Sequence, residues 1–333
     1  SGSTALAQAC ANLLVATNHV GRPNNGLLGV WQRPNDQGAW DIGFRPVDDL
    51  KAAMQAAKAL YVVAADPAGD DPSLAEATDF LVVQELFLTG TAKLADVVLP
   101  VEAFSEREGT FTNGERRVQR FYPAVPSLSD LPGDFSVTSQ IGQRLGQDLE
   151  GKLASKVMLR IATQVPGYAG LSYQEISKVF PQLPIIGRED LYYGGTSYDN
   201  QQGLGVQLAP GVESGADVAL SWAQPPALTM PADGLLAVPV TRLYDRGTTL
   251  LPSELLHQRI PQPYVALNPA DAAAQKILNG STVQISLQGG ESLVQAHLDE
   301  GVPAGVVLVP RSLGMAISGP EPVKIRLAER VSV

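Results

Sequence analysis

Cysteine and histidine are scarce in this chain of 333 residues, which has one cysteine and three histidines. A single cysteine, Cys10, excludes a disulfide within the chain and an iron–sulfur cluster held by the chain alone, which needs about four cysteine ligands. The histidines, His19, His257 and His297, lie far apart, and none has a second histidine at metal-binding spacing. The sequence therefore predicts no metal ligands in this chain.

Long apolar runs and an excess of positive charge are also missing. No apolar run approaches the roughly 18 residues of a membrane-spanning helix, so we expect no direct insertion into a membrane. The start, Ser1-Gly2-Ser3, has neither a methionine nor the pattern of a signal peptide. Thirty-four acidic and 24 basic residues give a net charge of −10, which argues against a nucleic-acid partner. The short cluster Arg116, Arg117 and Arg120 is either a solvated strand edge or an anion site.

Two apolar runs flank a short helical pattern in the middle of the chain. Phe80 to Val83 is nearly all apolar, as in a strand that is covered on both faces of its sheet. Asp96 to Pro100 is a second such strand, and Pro100 ends it because proline cannot donate to a β-ladder. Thr89 to Ala95 between them is predicted to be helical. The polar loop Ser105 to Gly114 then follows the carboxyl end of a strand, where open α/β sheets bind ligands.

A third strand precedes these elements. Asp48 and Asp49 begin a predicted helix that runs to Ala59, and Leu60 to Ala65 is an apolar strand that ends at Asp66. Strands and helices that alternate at this spacing require right-handed crossovers and a mostly parallel sheet. We therefore predict a Rossmann-like α/β domain in residues 1–150. Asp66 either contacts a ligand hydroxyl or guanine edge there, or only forms the turn before Pro67.

The pattern changes in the second half of the chain. Residues 151–233 are predicted to form a helical extension and a connector rich in Gly, Gln and Asp. From Gly234 onward, short strands alternate with turn signals such as Asn279-Gly280 and Gly289-Gly290. Many short strands joined in this way predict a closed β-barrel in residues 234–333.

Four stretches carry a family resemblance. The sequence TAKLADVVLP, followed by E-x-x-GTFTN-x-x-x-RVQ, is similar to the molybdopterin oxidoreductase superfamily and, within it, to the C-terminal part of the large iron–sulfur polypeptide of NADH-quinone oxidoreductase, respiratory complex I. Gly21-Arg22-Pro23 and Ala64 to Pro67 resemble the same superfamily. Tyr264 to Ala272 resembles its C-terminal double-psi β-barrel. The resemblance covers most of the sequence, and it implies a Rossmann-like domain followed by that barrel.

The resemblance also implies a cofactor site. In the superfamily, three places face a molybdopterin guanine dinucleotide, and they correspond here to Asp66, the loop Glu106 to Asn113 and the barrel loop Thr241 to Gly247. The cofactor-binding positions implied by the motifs are Asn35, Gln37, Gly38, Asp66, Asp96, Gly109, Thr110, Thr112, Asn113 and Arg242. We predict no catalytic residue and no metal ligand. We also expect no bound cofactor in this chain by itself, and guanine-nucleotide binding no tighter than about millimolar.

For function, the resemblance implies a non-catalytic portion of that iron–sulfur polypeptide of complex I. Such a portion would scaffold the peripheral arm that passes electrons from NADH to quinone, with other peripheral-arm subunits as partners and a cytoplasmic location at the cell membrane. One alternative is a fragment of an active molybdopterin-dependent oxidoreductase, such as a formate dehydrogenase or a nitrate reductase. A further alternative is a stand-alone nucleotide-binding module, for which saturable binding of GDP or GTP is the test.

Overall fold

The computed structural model divides the chain into two compact units, each made of two separate stretches. One unit contains residues 1–48 and 101–228, and the other contains residues 49–100 and 229–333. The structure describes the chain except residues 1, 22–24, 32, 48, 75–77, 128–130, 179–204, 211–212, 214–220, 226–233, 318 and 329–333. Much of the predicted connector therefore lies outside the described residues. The sequence-based division at residues 150 and 233 stays a prediction.

The second unit contains the parallel sheet that the apolar runs predicted. Strands β1 (Ala59–Val63), β2 (Phe80–Glu85) and β3 (Val97–Pro100) form a three-stranded sheet in the order β1-β2-β3. Both pairings are parallel, with Val62 opposite Val83 and Val83 opposite Val98. Leu81 and Val83 are buried, together with Ala68 and Ala92 from the helices that follow β1 and β2. Burial of this apolar surface supplies the main driving force for the local fold.

The helices around this sheet are short, and two of them are capped by side chains. Helix Leu50–Ala56 is capped by Asp49, whose Oδ1 accepts a hydrogen bond from the Ala52 amide at 2.9 Å. Helix Pro67–Asp70 follows β1. Helix Gly90–Leu94 follows β2 and is capped by Thr89, whose Oγ1 accepts from the Ala92 amide at 3.2 Å. Such caps satisfy amides that the first helical turn leaves without partners.

The C-terminal part of the second unit is a closed barrel, as predicted. Six strands close in the order β10-β8-β11-β7-β12-β9 with mixed parallel and antiparallel pairing. They are β7 (Leu235–Val240), β8 (Tyr264–Leu267), β9 (Thr282–Leu287), β10 (Gly290–Leu298), β11 (Val306–Pro310) and β12 (Glu321–Leu327). A helix, Pro269–Ala274, follows β8. Alternate residues such as Val283 and Ile285 are fully buried, so the barrel interior is a packed core.

The first unit combines a small antiparallel sheet with helices. Strands β4 (Gly109–Thr112), β5 (Arg117–Phe121) and β6 (Val206–Gln207) are arranged in the order β4-β5-β6. The helices described in this unit are Gly2–Ala16, Asp36–Asp41, Asp134–Arg144, Ala154–Gln164 and Tyr173–Ile176. Strands β4 and β5 form an antiparallel hairpin, and β5 is the central strand because β6 pairs with it. Ser172 caps the last helix, since its Oγ accepts from the Glu175 amide at 3.1 Å.

Among the described residues, the structure has no helix with the length and hydropathy of a membrane span.

Candidate functional site

The carboxyl ends of the three parallel strands form one edge of the sheet in the second unit. Because all three strands run in the same direction, β1 ends at Val63, β2 at Glu85 and β3 at Pro100 on this edge. Ala64 follows β1 with a φ of +50°, a left-handed conformation that is uncommon for a residue with a side chain. This turn leads to Asp66. The edge is where open α/β sheets bind ligands.

Asp66 joins the turns that follow β1 and β2. Its Oδ1 accepts hydrogen bonds from both the amide and the hydroxyl of Thr91, each at 2.7 Å. Its Oδ2 accepts a longer one from the Gly90 amide at 3.3 Å. A Cβ at Gly69 would lie 2.7 Å from Asp66 Cγ, so glycine is required beside this carboxylate. Asp66 therefore has a structural role at the edge, and Oδ2 keeps capacity to accept another hydrogen bond.

Asp96 lies at the other end of its strand. It precedes β3, which begins at Val97, so it stands at the amino end rather than at the ligand-binding edge. Its Oδ2 accepts from the Leu81 amide at 2.8 Å, and its own amide donates to Leu81 O at 2.9 Å. These reciprocal bonds set the start of β3 against β2. The observed role of Asp96 is thus in strand pairing, and its role toward a cofactor stays a prediction.

Two polar residues that the sequence reasoning missed end β2. Gln84 has no exposed surface, and its Oε1 accepts a short hydrogen bond from the Tyr61 hydroxyl. Glu85 is only 7% exposed, and its Oε1 accepts from the Leu86 amide at 2.7 Å. Glu85 Oε2 is buried and has no hydrogen-bond partner among the described residues. The sequence could have indicated both residues. Polar side chains are uncommon directly after four apolar strand residues, and they stand here at the strand end where open α/β sheets bind ligands.

An unpaired buried carboxylate oxygen is costly, because burial removes the water that would solvate it. Buried polar atoms in native proteins nearly always have partners, so such an atom calls for an explanation. Glu85 Oε2 lies at the edge where ligands bind in this class of sheet. A ligand that carries N–H or O–H groups would supply the missing donor.

In the first unit, Asn35 ties the loop before helix Asp36–Asp41 to the β4-β5 hairpin. Its Oδ1 accepts from the Thr112 amide at 2.9 Å. Gly38 makes room for this contact, since a Cβ there would overlap Asn35 Oδ1 and lie 3.2 Å from Thr112 Oγ1. The Gln37 side chain also makes its hydrogen bonds within this segment. It accepts from Trp31 Nε1 at 3.0 Å and donates to Asp41 Oδ1 at 2.9 Å.

A buried tyrosine continues this network, and the sequence reasoning missed it. The Tyr168 hydroxyl is 2.7 Å from Thr112 Oγ1 and donates to Asp41 Oδ2 at 3.2 Å. Arg116 Nε lies 3.5 Å from the same Asp41 oxygen. Burial raises the pKa of Tyr168 to about 12, and the nearby Asp41 carboxylate acts in the same direction. The phenol is therefore neutral at physiological pH and serves as a fixed bridge.

The other predicted cofactor-binding residues on the β4-β5 hairpin make contacts that hold the hairpin together. Gly109 packs against the Phe121 ring, where a Cβ would be only 2.8 Å from ring atoms. Thr110 Oγ1 has a weak contact with Met158 Sδ at 3.9 Å. Asn113 shapes the turn, because its Oδ1 accepts from the Glu115 amide at 3.0 Å and the Arg117 amide at 2.9 Å. The Asn113 side-chain amide has no partner among the described residues.

The last predicted position lies on the barrel. Arg242 is exposed after β7, and its guanidinium carbon is 5.8 Å from the centre of the Tyr264 ring. Tyr264 stacks on His297, with ring centroids 4.4 Å apart. Within the part of the chain that the structure describes, there is no cluster of histidine, cysteine and carboxylate side chains that could hold a metal ion. The structure thus offers acceptors at the sheet edge and an exposed cation on the barrel, each within the second unit.

Comparison with family models gives two matches. Residues 1–144 match the family described as "Molybdopterin oxidoreductase", and residues 241–325 match the "Molydopterin dinucleotide binding domain". Among solved structures, acetylene hydratase from Pelobacter acetylenicus is similar with a TM-score of 0.53 at 17% identity. That similarity covers 81% of this chain and 40% of the other chain, and it shows the fold alone.

Curated relatives with similar sequences include proteins named as formate dehydrogenases. The F420-dependent formate dehydrogenase 2 subunit alpha of Methanococcus maripaludis is 29% identical over 347 residues, which cover 90% of this chain and 50% of the relative. A putative formate dehydrogenase of Staphylococcus aureus strain USA300 is 29% identical over 353 residues, which cover 91% of this chain and 34% of the relative. The chain therefore spans about half the length of the Methanococcus maripaludis relative and about a third of the length of the Staphylococcus aureus relative.

These relatives correct the finer assignment from the sequence. They support the superfamily but not the iron–sulfur polypeptide of complex I, NADH dehydrogenase activity or a link to quinone, and they favour the formate dehydrogenase alternative. The two family models match in the order that the resemblance implied, and the fold agrees with it. Two models of the molybdopterin oxidoreductase superfamily thus match separate stretches of the chain.

Proposed function

We propose that this chain is the dinucleotide-binding portion of a molybdopterin-dependent oxidoreductase of the formate dehydrogenase kind. The observation that carries the proposal is the buried carboxylate of Glu85, which has an unpaired oxygen at the carboxyl edge of the parallel sheet. The sequence similarity to formate dehydrogenases over nine tenths of the chain supports the choice of reaction class. The competing assignment to complex I rests on the motif resemblance alone.

The residues present fit the guanine end of a pterin dinucleotide. The Watson–Crick edge of guanine presents a ring N–H and an amino group side by side, and a carboxylate can accept from both. Glu85 Oε2 is free to accept, and Asp66 Oδ2 has only the long contact with Gly90. Adenine presents a ring nitrogen acceptor where guanine has its ring N–H, and a buried carboxylate repels that acceptor. The sheet edge should therefore prefer guanine.

The bound group would supply a dithiolene-held metal for the redox chemistry, and this chain's residues would supply recognition. Glu85 and Asp66 would orient the base, while Gln84, fixed by the Tyr61 hydroxyl, would hold the end of β2 in place. Arg242 is an exposed cation suited to a phosphate. In this proposal, any protein ligand to the metal comes from another part of a longer protein.

The guanine preference gives a direct test with the 333-residue chain. In isothermal titration calorimetry, we expect GDP to bind with a Kd of about 1 mM and ADP to bind about tenfold more weakly. Glu85→Gln replaces the acceptor oxygen by an amide of the same shape. It should weaken GDP about tenfold and leave ADP unchanged, because the loss of one charged hydrogen bond is worth about 1.4 kcal/mol.

The matched control is Glu300→Gln, which removes the same charge from an exposed residue of the same unit and should not change either Kd. Glu85→Gln should also leave the unfolding temperature equal or higher, since it removes a buried unpaired charge. Equal binding of GDP and ADP, or GDP binding that is insensitive to Glu85→Gln, would contradict the proposal.

A further inference from the structure

Two Asn-Gly pairs lie next to strands of the described structure. Asn113-Gly114 begins the turn between β4 and β5, and Asn279-Gly280 precedes β9. In such a pair the glycine amide nitrogen can attack the side-chain amide carbon of asparagine, because glycine has no Cβ to obstruct the approach and its backbone is permissive. The attack releases ammonia and closes a succinimide ring. The hydrogen bonds around each pair determine which of the two can react.

The turn between β4 and β5 polarises the side-chain amide of Asn113. The turn is closed by two backbone hydrogen bonds, from the Arg116 amide to Asn113 O at 2.8 Å and from the Asn113 amide to Arg117 O at 3.0 Å. Asn113 Oδ1 accepts from the Glu115 amide at 3.0 Å and from the Arg117 amide at 2.9 Å. Enzymes use two backbone N–H groups in this way to stabilise the oxyanion of acyl transfer. These donors would therefore stabilise the negative charge that develops on Oδ1 during the attack.

The nucleophile and the leaving group of this pair are both available. The Gly114 amide donates no hydrogen bond to any described residue, and Asn113 Nδ2 likewise has no partner among them. Both residues are partly exposed, so water and hydroxide can reach them. Packing also requires glycine at position 114, because a Cβ there would lie 3.0 Å from Leu28 Cδ1 and 3.1 Å from Gly29 O. The turn thus keeps the least obstructed amide nitrogen next to Asn113.

The Asn279-Gly280 pair provides a contrast within the same chain. The Gly280 amide donates to Ala296 O at 2.7 Å, so this hydrogen bond must break before the nitrogen can lose its proton and attack. Asn279 Oδ1 accepts one hydrogen bond, from the Leu298 amide at 2.9 Å. Asn279 and Gly280 are both exposed, whereas Asn113 and Gly114 are only partly exposed. Exposure alone would therefore favour reaction at Asn279, and the hydrogen bonds favour reaction at Asn113.

We propose that Asn113 is a site of spontaneous deamidation, promoted by the turn that holds its side chain. Solvent base removes the Gly114 amide proton, and the nitrogen forms a bond to Asn113 Cγ. The Cγ–Nδ2 bond breaks, and Nδ2 takes up a proton from water and leaves as ammonia. Water then opens the succinimide at one of its two carbonyl groups and gives aspartate or isoaspartate. The product carries a negative charge in place of the N–H donors of Asn113, and its formation does not depend on guanine recognition at the sheet edge.

The experiment follows both asparagines in the 333-residue chain by peptide mapping with mass spectrometry, during incubation in mildly alkaline buffer with and without guanidinium chloride. In the folded chain, we expect Asn113 to be converted at least about tenfold faster than Asn279, with both aspartate and isoaspartate as products. Unfolding removes the two donors from Asn113 Oδ1 and frees the Gly280 amide. The rate at Asn113 should therefore fall in guanidinium chloride, the rate at Asn279 should rise, and the two rates should agree within about threefold.

Gly114→Ala tests the nucleophile, because its methyl group obstructs the attacking nitrogen. It should slow conversion at Asn113 about tenfold and leave Asn279, the control in the same molecule, unchanged. The same slowing is expected in guanidinium chloride, so a folding defect of the variant cannot imitate it. Slower conversion of Asn113 in the folded chain than in guanidinium chloride would show that the turn protects the residue and would overturn the proposal. Aspartate formed without isoaspartate would exclude attack by the Gly114 amide and would overturn it as well.

Discussion

Gly38→Ala is expected to destabilise the first unit by about 3 kcal/mol. The added methyl group would overlap Asn35 Oδ1 and lie 3.1 Å from Asn35 Cγ. Overpacking at a buried position costs about 1–3 kcal/mol. The displaced Asn35 side chain would also lose its hydrogen bond from the amide of Thr112, a residue that is 3% exposed. An unsatisfied buried donor adds about 1–3 kcal/mol.

The measurement is urea unfolding followed by tryptophan fluorescence. All three tryptophans, Trp31, Trp40 and Trp222, belong to the first unit, so this signal reports on that unit. The control is the double variant Asn35→Ala with Gly38→Ala. If the clash with the Asn35 side chain causes the loss, Gly38→Ala should cost less than about 1 kcal/mol when it is added to Asn35→Ala. An equal cost in both backgrounds would show that the clash is not the cause.

Tyr168→Phe is expected to destabilise the same unit by about 2 kcal/mol at pH 8. The phenol bridges Thr112 Oγ1 and Asp41 Oδ2, and Thr112 is only 3% exposed, so its hydroxyl would lose a partner at a buried position. Leaving a buried hydroxyl without its partner costs about 1–3 kcal/mol. Tyr122→Phe is the matched control, because Tyr122 is 41% exposed, and it should change stability by less than about 0.5 kcal/mol.

The same tyrosine predicts a dependence on alkaline pH. Its pKa is raised from 10.0 to about 12 in the folded state, chiefly by burial. Between these values the unfolded chain loses the phenol proton while the folded chain keeps it, so the stabilisation is complete below pH 10 and falls as the pH rises toward 12. Phenylalanine has no proton to lose. The destabilisation caused by Tyr168→Phe should therefore shrink by about 2 kcal/mol between pH 9 and pH 12. A constant difference across this range would contradict the burial of the phenol.

Local patterns predicted the sheet and the barrel because both depend on short-range signals. The run Phe80 to Val83 and the stop at Pro100 define parallel strands that are found at the expected places. In the C-terminal part, Asn279-Gly280 and Gly289-Gly290 separate strands whose alternate residues are buried in the barrel. In each case the hydrophobic period and the turn residues agree, so few alternative arrangements fit.

Long-range partners could not be predicted in the same way. The central position of β5 depends on Val206 and Gln207, which are about 90 residues further along the chain. The bridge made by Tyr168 connects residues that are far apart in sequence and follow no motif. Likewise, no local pattern shows that the Asp66 carboxylate accepts hydrogen bonds from the amides of Gly90 and Thr91. Tertiary contacts decide these roles.

The sequence motifs also could not distinguish one member of the superfamily from another. The stretch from Thr91 to Gln119 contains residues that the structure uses for folding, such as Thr91, which binds Asp66, and Gly109, which packs on Phe121. Residues needed for the fold are shared by members with different reactions, so they identify the superfamily but not the enzyme. Similarity over nine tenths of the chain was needed to favour formate dehydrogenases. Partner subunits and location in the cell stay predictions.

The most direct test of the central claim is the cofactor content and activity of the native protein that carries this chain. Purified protein would be analysed for molybdenum and tungsten by mass spectrometry and assayed for reduction of a viologen dye by formate. We expect stoichiometric molybdenum or tungsten, a guanine-containing pterin released on denaturation, and dye reduction that requires formate. Native protein that contains neither metal nor pterin and co-purifies with an NADH-oxidising, quinone-reducing assembly would contradict it.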